Sequence, residues 1–127
     1  IVHDGDNVKL LIEEYDLTRI IYLTDEPIQG VATSLGFSIG RWDGEDLVVS
    51  TFDVLASQYT AGIPLGASAE IEERFQLSDD KNYLNYSLTV TDPVTFTEPV
   101  TREKYWRWIP GVEIDAYECT VENLPEP

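Results

Sequence analysis

The sequence predicts an all-β protein, either an antiparallel up-and-down eight-stranded barrel or a strongly curved sheet. Three observations carry this. Apolar residues recur at every second position through eight segments, the spacing of a half-buried strand. Turn-forming residues separate the segments. No segment carries an apolar stripe at helical spacing; the nearest, Thr51 to Tyr59, is long enough for one short turn of helix only.

The segments follow in order. Val8, Leu10 and Ile12 alternate with Lys9 and Glu13. Leu17, Arg19, Ile21 and Leu23 form one row of the second segment. Leu35, Phe37 and Ile39 alternate with Gly36, Ser38 and Gly40, and Arg41 extends the first of these rows. Asp43-Gly44 then marks a hairpin, because the primed turns need positive φ and glycine supplies it. Leu47, Val49 and Thr51 face one way, and Val48 and Ser50 the other. The longest loop, about Val54 to Ser68, contains Gly62, Pro64 and Gly66. Ala69, Ile71, Glu73, Phe75 and Leu77 form the inward row of the fifth segment, and the polar cluster Ser78 to Asn82 turns the chain. Leu84, Tyr86, Leu88 and Val90 form the inward row of the sixth, which Asp92-Pro93 ends. Val100 to Ile109 and Val112 to Cys119, separated by Pro110-Gly111, complete the set. Barrel closure would remove exposed sheet edges. Eight strands, a lipocalin-like number, enclose either a filled interior or room for one small ligand.

Residues 1–127 read as a single β domain, without repeats, low-complexity segments or a dividing linker. The chain carries 24 acidic against 8 basic residues, for a formal net charge of -16. Such a chain repels phosphate, which excludes sequence-independent nucleic-acid binding. No apolar run approaches the roughly 20 residues of a membrane helix. The single cysteine, Cys119, rules out an internal disulfide and reads as a small core residue.

Charge on apolar rows is the most informative functional feature. Glu73 lies between Ile71 and Phe75, and Arg19 between Leu17 and Ile21. A buried charge is costly unless paired, so Glu73 should meet Arg19 or Arg41 inside the barrel or at its mouth. There the pair serves as a stabilising ion pair or as the polar anchor of a ligand in an apolar pocket. Lys104-Tyr-Trp-Arg-Trp108 is the second feature. Its spacing puts Trp106 and Trp108 on one face, suited to stacking on a sugar ring or a cation, or to covering the core. Tyr86 on the inward row completes the predicted ligand-binding set: Glu73, Arg19, Arg41, Trp106, Trp108 and Tyr86.

No catalytic constellation emerges. His3 is the only histidine and lies at the chain start; with one histidine and one cysteine, a transition-metal site is nearly excluded. Carboxylate pairs abound, and their abundance removes their value as a signal. Asp4-Gly5-Asp6-Asn7 matches half a calcium loop but lacks the later ligands, so a solvated turn is the better reading. No cofactor is called for; Ca2+ is the one ion the acidic surface suggests. Asn85-Tyr86-Ser87 is a glycosylation sequon, relevant only in a eukaryotic secretory host.

The run Gly36-Phe-Ser-Ile-Gly-Arg-Trp-Asp-Gly-Glu-Asp-Leu-Val-Val-Ser-Thr51 resembles one found in a widespread group of uncharacterised exported bacterial proteins. So do Glu73-Arg74-Phe75, Thr89-Val-Thr-Asp-Pro93, Phe96-Thr-Glu-Pro99 and Tyr117-Glu-Cys119 with Glu122-Asn123. Order and spacing match from about Val8 onward. Phe96 and Val100 depart from the Tyr and the aromatic residue usual at those places. The resemblance implies bacterial origin, export to the periplasm or medium, and a β-rich fold; it supplies no catalytic residue.

The expected function is that of an exported, acidic, non-enzymatic β-barrel domain binding a small apolar or amphipathic ligand. One alternative is a structural extracellular protein that associates with copies of itself, by strand exchange or calcium bridging. A second is a hydrolase or isomerase working through Glu73 or another carboxylate.

Overall fold

The structure, a computed structural model, describes residues 1–13, 16–24, 33–54, 58–60 and 63–118. Ten strands run in chain order: β1 (Val2–Asp4), β2 (Asn7–Ile12), β3 (Leu17–Leu23), β4 (Phe37–Asp43), β5 (Asp46–Phe52), β6 (Gln58–Thr60), β7 (Ile63–Pro64), β8 (Glu70–Leu77), β9 (Tyr83–Thr91) and β10 (Val100–Arg107). Eight of them form one sheet in the order β1-β2-β3-β4-β5-β8-β9-β10, and β6 and β7 form a small hairpin of their own. The sheet is strongly curled, a half-barrel with β1 and β10 as its two edges. Among the described residues no helix is long and apolar enough to cross a membrane. Gln58 and Tyr59, at the end of the segment considered for a short helical turn, lie in strand β6; residues 55–57 lie outside the described residues.

Every neighbouring pair in the sheet is antiparallel except β3 and β4, which run parallel with Ile21 opposite Ser38 and Leu23 opposite Gly40. The connection, residues 24–36, is long enough to permit this. A parallel neighbour needs a crossover of about a dozen residues, where a hairpin needs about two. The remaining turns follow their chemistry. Gly44 (φ 65°) turns β4 into β5, and Gly5 (φ 58°) turns β1 into β2. The Asp4-Gly5-Asp6-Asn7 run is therefore a hairpin turn, and β1, too short to show alternation, is a strand that the periodicity missed; β6 and β7, inside the segment read as the longest loop, are two more.

Asp80 organises the β8–β9 turn by accepting hydrogen bonds from Ser78 Oγ (2.7 Å), Asn82 N (3.1 Å) and Asn82 Nδ2 (2.9 Å). The Ser78 and Asn82 donors hold its pKa at about 2.

Val112–Cys119 does not form the expected strand. Residues 112–118 carry no strand, and Cys119 lies outside the described residues. The turn at Pro110-Gly111 (Gly111 φ 78°) sends the chain away from the edge of β10. It runs instead towards the β2–β3 connection, where the Tyr117 N–H donates to Asp16 Oδ1 (2.9 Å). Val112 and Ile114 are exposed on the way.

Directly opposed residues share a face of the sheet. The registers Leu47–Phe75–Tyr86 and Val49–Glu73–Leu88 therefore define its inner side. Val8, Ile21, Leu47, Val49 and Phe75 form one buried cluster there, with Leu10, Leu23, Leu84 and Tyr86 packed against it. Residues from β2 and β3 share this cluster with Phe75 of β8, so the curl fills the inner side with side chains.

Gly40 makes the curl sterically feasible. A Cβ at this position would lie 2.6 Å from Ile21 Cγ2, 3.1 Å from Leu23 Cδ2 and 3.2 Å from Leu47 Cδ1. Gly40→Ala should overpack this corner and lower stability by about 1–3 kcal/mol. Urea unfolding checks this, and an unchanged midpoint would show that the neighbouring side chains yield freely.

A second close approach pins the loop before β8. Asp92 is buried and accepts hydrogen bonds from Gly66 N (2.7 Å) and Val94 N (3.1 Å). The bond from the Gly66 amide leads the causes that lower its pKa. A Cβ on Gly66 would sit 2.9 Å from Asp92 Oδ1.

Candidate functional site

Five strands contribute one polar network to the inner face. Arg19 projects from β3, Ser38 from β4, Thr51 from β5, Glu73 from β8 and Tyr86 from β9. The Arg19 guanidinium grips the Glu73 carboxylate with both terminal nitrogens, Nη1 to Oε1 at 2.9 Å and Nη2 to Oε2. It also donates from Nη2 to Thr51 Oγ1 (2.7 Å) and from Nε to Ser38 Oγ (3.0 Å). The two hydroxyls are hydrogen-bonded to each other at 2.9 Å. The Tyr86 hydroxyl donates to Glu73 Oε1 at 2.7 Å. Only 14% of the Arg19 side chain and 5% of the Glu73 side chain is exposed.

This geometry is the two-pronged guanidinium–carboxylate fork. Each buried polar group in the network is answered by another, which makes burial tolerable. Burial, followed by the charge of Glu73 and the hydrogen bond to it, raises the Tyr86 hydroxyl well above the usual tyrosine range; Arg19 acts in the opposite direction. Tyr86 therefore stays protonated and acts as a donor. Three hydrogen bonds hold the Glu73 carboxylate, two on Oε1 and one on Oε2, and its side chain is only 5% exposed, which limits a substrate's access to it.

Tyr86 also belongs to an aromatic corner at the β10 end of the inner face. Its ring lies 5.0 Å from that of Phe75 and 5.0 Å, edge-on, from that of Trp106. The Phe75 and Trp106 rings are nearly parallel and stacked, with centroids 6.4 Å apart. Lys104 caps the corner, its Nζ 4.5 Å from the Trp106 centroid and 5.1 Å from that of Tyr86. Phe75 is the buried floor, and Trp106, 42% exposed, is the rim.

Of the predicted residues, the fold brings together Glu73, Arg19, Tyr86 and Trp106. Arg41 lies elsewhere: it opposes Val48 on the outer face and is exposed. The partner of Glu73 is Arg19 alone of the two arginines named. Trp108 lies past the end of β10, 69% exposed, with its backbone N–H donating to the Asn82 carbonyl (2.8 Å). Sequence reasoning missed Ser38, Thr51 and the capping role of Lys104. Thr51, a hydroxyl on the same row as Leu47 and Val49, was the available signal.

The outer face carries a separate feature. Arg74 donates to Asp46 Oδ2 (2.5 Å) and Asp43 Oδ2 (2.6 Å), bracing the β4–β5 hairpin on the surface. Beside it, Ser50, Phe52, Glu70, Glu72, Thr89 and Thr91 line an open groove of about 220 Å3. Among the described residues, no three His, Cys, Asp or Glu side chains gather as a metal site.

The chain matches no known protein family, no curated protein and no solved structure.

Proposed function

We propose that this chain is a non-enzymatic binding domain of an exported bacterial protein. It takes a small amphipathic ligand at the Phe75–Tyr86–Trp106 corner. The half-exposed Trp106 ring carries this reading. It presents an apolar surface beside the Lys104 ammonium, and an apolar body bearing an anionic group matches that pairing. The Arg19–Glu73 pair anchors the corner from below, through Tyr86, and does not itself meet the ligand. A reading as a carboxylate-dependent hydrolase has less support, because Glu73 is buried and held by Arg19 and Tyr86.

Titration with 8-anilinonaphthalene-1-sulfonate, an aromatic anion, tests the proposal. Binding should raise the probe's fluorescence while the folded state is unperturbed. Trp106→Ala should weaken it by about tenfold, the equivalent of the roughly 1.4 kcal/mol that an aromatic contact supplies. Lys104→Ala should weaken the sulfonate probe more than the uncharged N-phenyl-1-naphthylamine. Trp108→Ala should change neither. Equal affinities for the parent and Trp106→Ala would overturn the assignment.

A further inference from the structure

β10 is an edge strand of unusual composition. The whole chain has 8 basic residues, and three of them, Arg102, Lys104 and Arg107, lie on this one strand. It is locally cationic on a molecule of net charge -16. One edge of β10 pairs with β9 from Val100–Val90 to Arg107–Tyr83. Among the described residues no strand covers its other edge. Tyr105 (67%) and Trp106 (42%) are exposed residues of this strand. An uncovered edge is a template for another strand. Edges that proteins merely protect are blunted by charge. This one mixes both signs of charge with aromatic rings, in a fixed order.

That order is self-complementary. Antiparallel pairing of two identical strands about a twofold axis sets each residue against its mirror position about the centre. With Tyr105 at the centre, Tyr105 meets Tyr105 of the partner subunit. Lys104 then faces Trp106 of the partner subunit, and Glu103 faces Arg107 of the partner subunit. Each of these two pairs occurs twice. Moving the centre to Lys104 sets lysine against lysine. Moving it to Glu103 sets Glu103 against its own copy and Arg102 against Lys104 of the partner subunit. Centring on Tyr105 joins an opposite-charge pair to a cation–aromatic pair, the combinations that stabilise facing strands.

We propose that β10 is a homodimerisation strand, pairing antiparallel with β10 of a second copy in the register centred on Tyr105. The two sheets become one continuous sheet with both inner faces on the same side, and the two aromatic corners lie next to each other. The charged half of the contact, Glu103 and Arg107, alternates with Lys104 and Trp106 and so lies on the outer face. It can fail or hold independently of the ligand proposal.

The test is sedimentation velocity at physiological salt, where screening over about 8 Å limits the general repulsion between acidic copies. The parent should show a concentration-dependent dimer. Glu103→Arg alone sets like charges opposite each other twice, and should weaken dimerisation by tenfold or more; so should Arg107→Glu alone. An equimolar mixture of these two single variants restores both attractive pairs and should form heterodimers. The double variant Glu103→Arg with Arg107→Glu should dimerise like the parent. A parent that stays monomeric at millimolar concentration overturns the proposal and leaves β10 a protected edge. A dimer that both single variants preserve overturns the register.

Discussion

Arg19→Met should destabilise the fold by about 3–5 kcal/mol, the cost of leaving one partner of a buried ion pair alone. The substitution retains the apolar stem and removes the guanidinium. Glu73, 5% exposed at its side chain, is left with the Tyr86 hydroxyl as its one remaining partner in the network. Ser38 and Thr51 lose a donor each but keep their mutual bond of 2.9 Å. Urea unfolding should show a lower midpoint with an unchanged slope, since the surface exposed on unfolding is the same. Combining Arg19→Met with Glu73→Leu should recover most of the loss, because an apolar pair of similar volume replaces a buried ion pair at little net cost. Recovery stays incomplete, because the Tyr86 hydroxyl then lacks its acceptor. A single variant within 1 kcal/mol of the parent would mean that water reaches Glu73 and that the network is peripheral.

That Glu73 would meet an arginine was legible in the sequence, because a charge on an otherwise apolar row breaks the alternation and needs a partner of opposite sign. The choice between Arg19 and Arg41 was not legible. It depends on which face of β4 turns inward, and β4 carries two rows of contrary meaning. Leu35, Phe37 and Ile39 look like the core row, while Gly36, Ser38 and Gly40 look like the solvent row. The register puts the small row inside, because the tight curl at Ile21, Leu23 and Leu47 leaves no room for a side chain at position 40. The large row goes to the outer face, where Phe37 is buried and stacks on Tyr22 at 5.2 Å. Apolar alternation reports burial, and a strand covered on both sides defeats it. Arg41 follows the large row outward.

The strand pattern itself was legible for the same reason that period-two spacing is reliable on half-buried strands. Seven of the eight expected segments overlap strands of the main sheet. Strand direction was not legible. An up-and-down order follows if every connection is a hairpin, and nothing in the composition of residues 24–36 separates a long hairpin from a crossover. The final segment, Val112 onward, shows the limit from the other side. Its alternation is as regular as that of β2, yet a strand also needs a neighbour. The turn at Pro110-Gly111 and the bond from Tyr117 to Asp16 take the chain elsewhere.

Phe75→Ala should cost about 3–5 kcal/mol, the range for removing a buried aromatic ring from a core that cannot collapse around the space. Phe75 is 5% exposed, belongs to the central cluster with Val8, Ile21, Leu47 and Val49, and forms the floor under Tyr86 and Trp106. Phe75→Leu, closer in volume, should cost less than about 1.5 kcal/mol. Trp106→Ala should cost less than Phe75→Ala, because the residue is already 42% exposed. The two substitutions should also separate by readout. Trp106→Ala removes ligand affinity at modest stability cost, and Phe75→Ala removes stability first. Near-ultraviolet circular dichroism would follow both, since the Trp106 signal depends on its fixed orientation against Phe75 and Tyr86. Equal stability losses for the two variants would mean that the rim is packed as tightly as the floor, and the corner would then be core with no face left for a ligand.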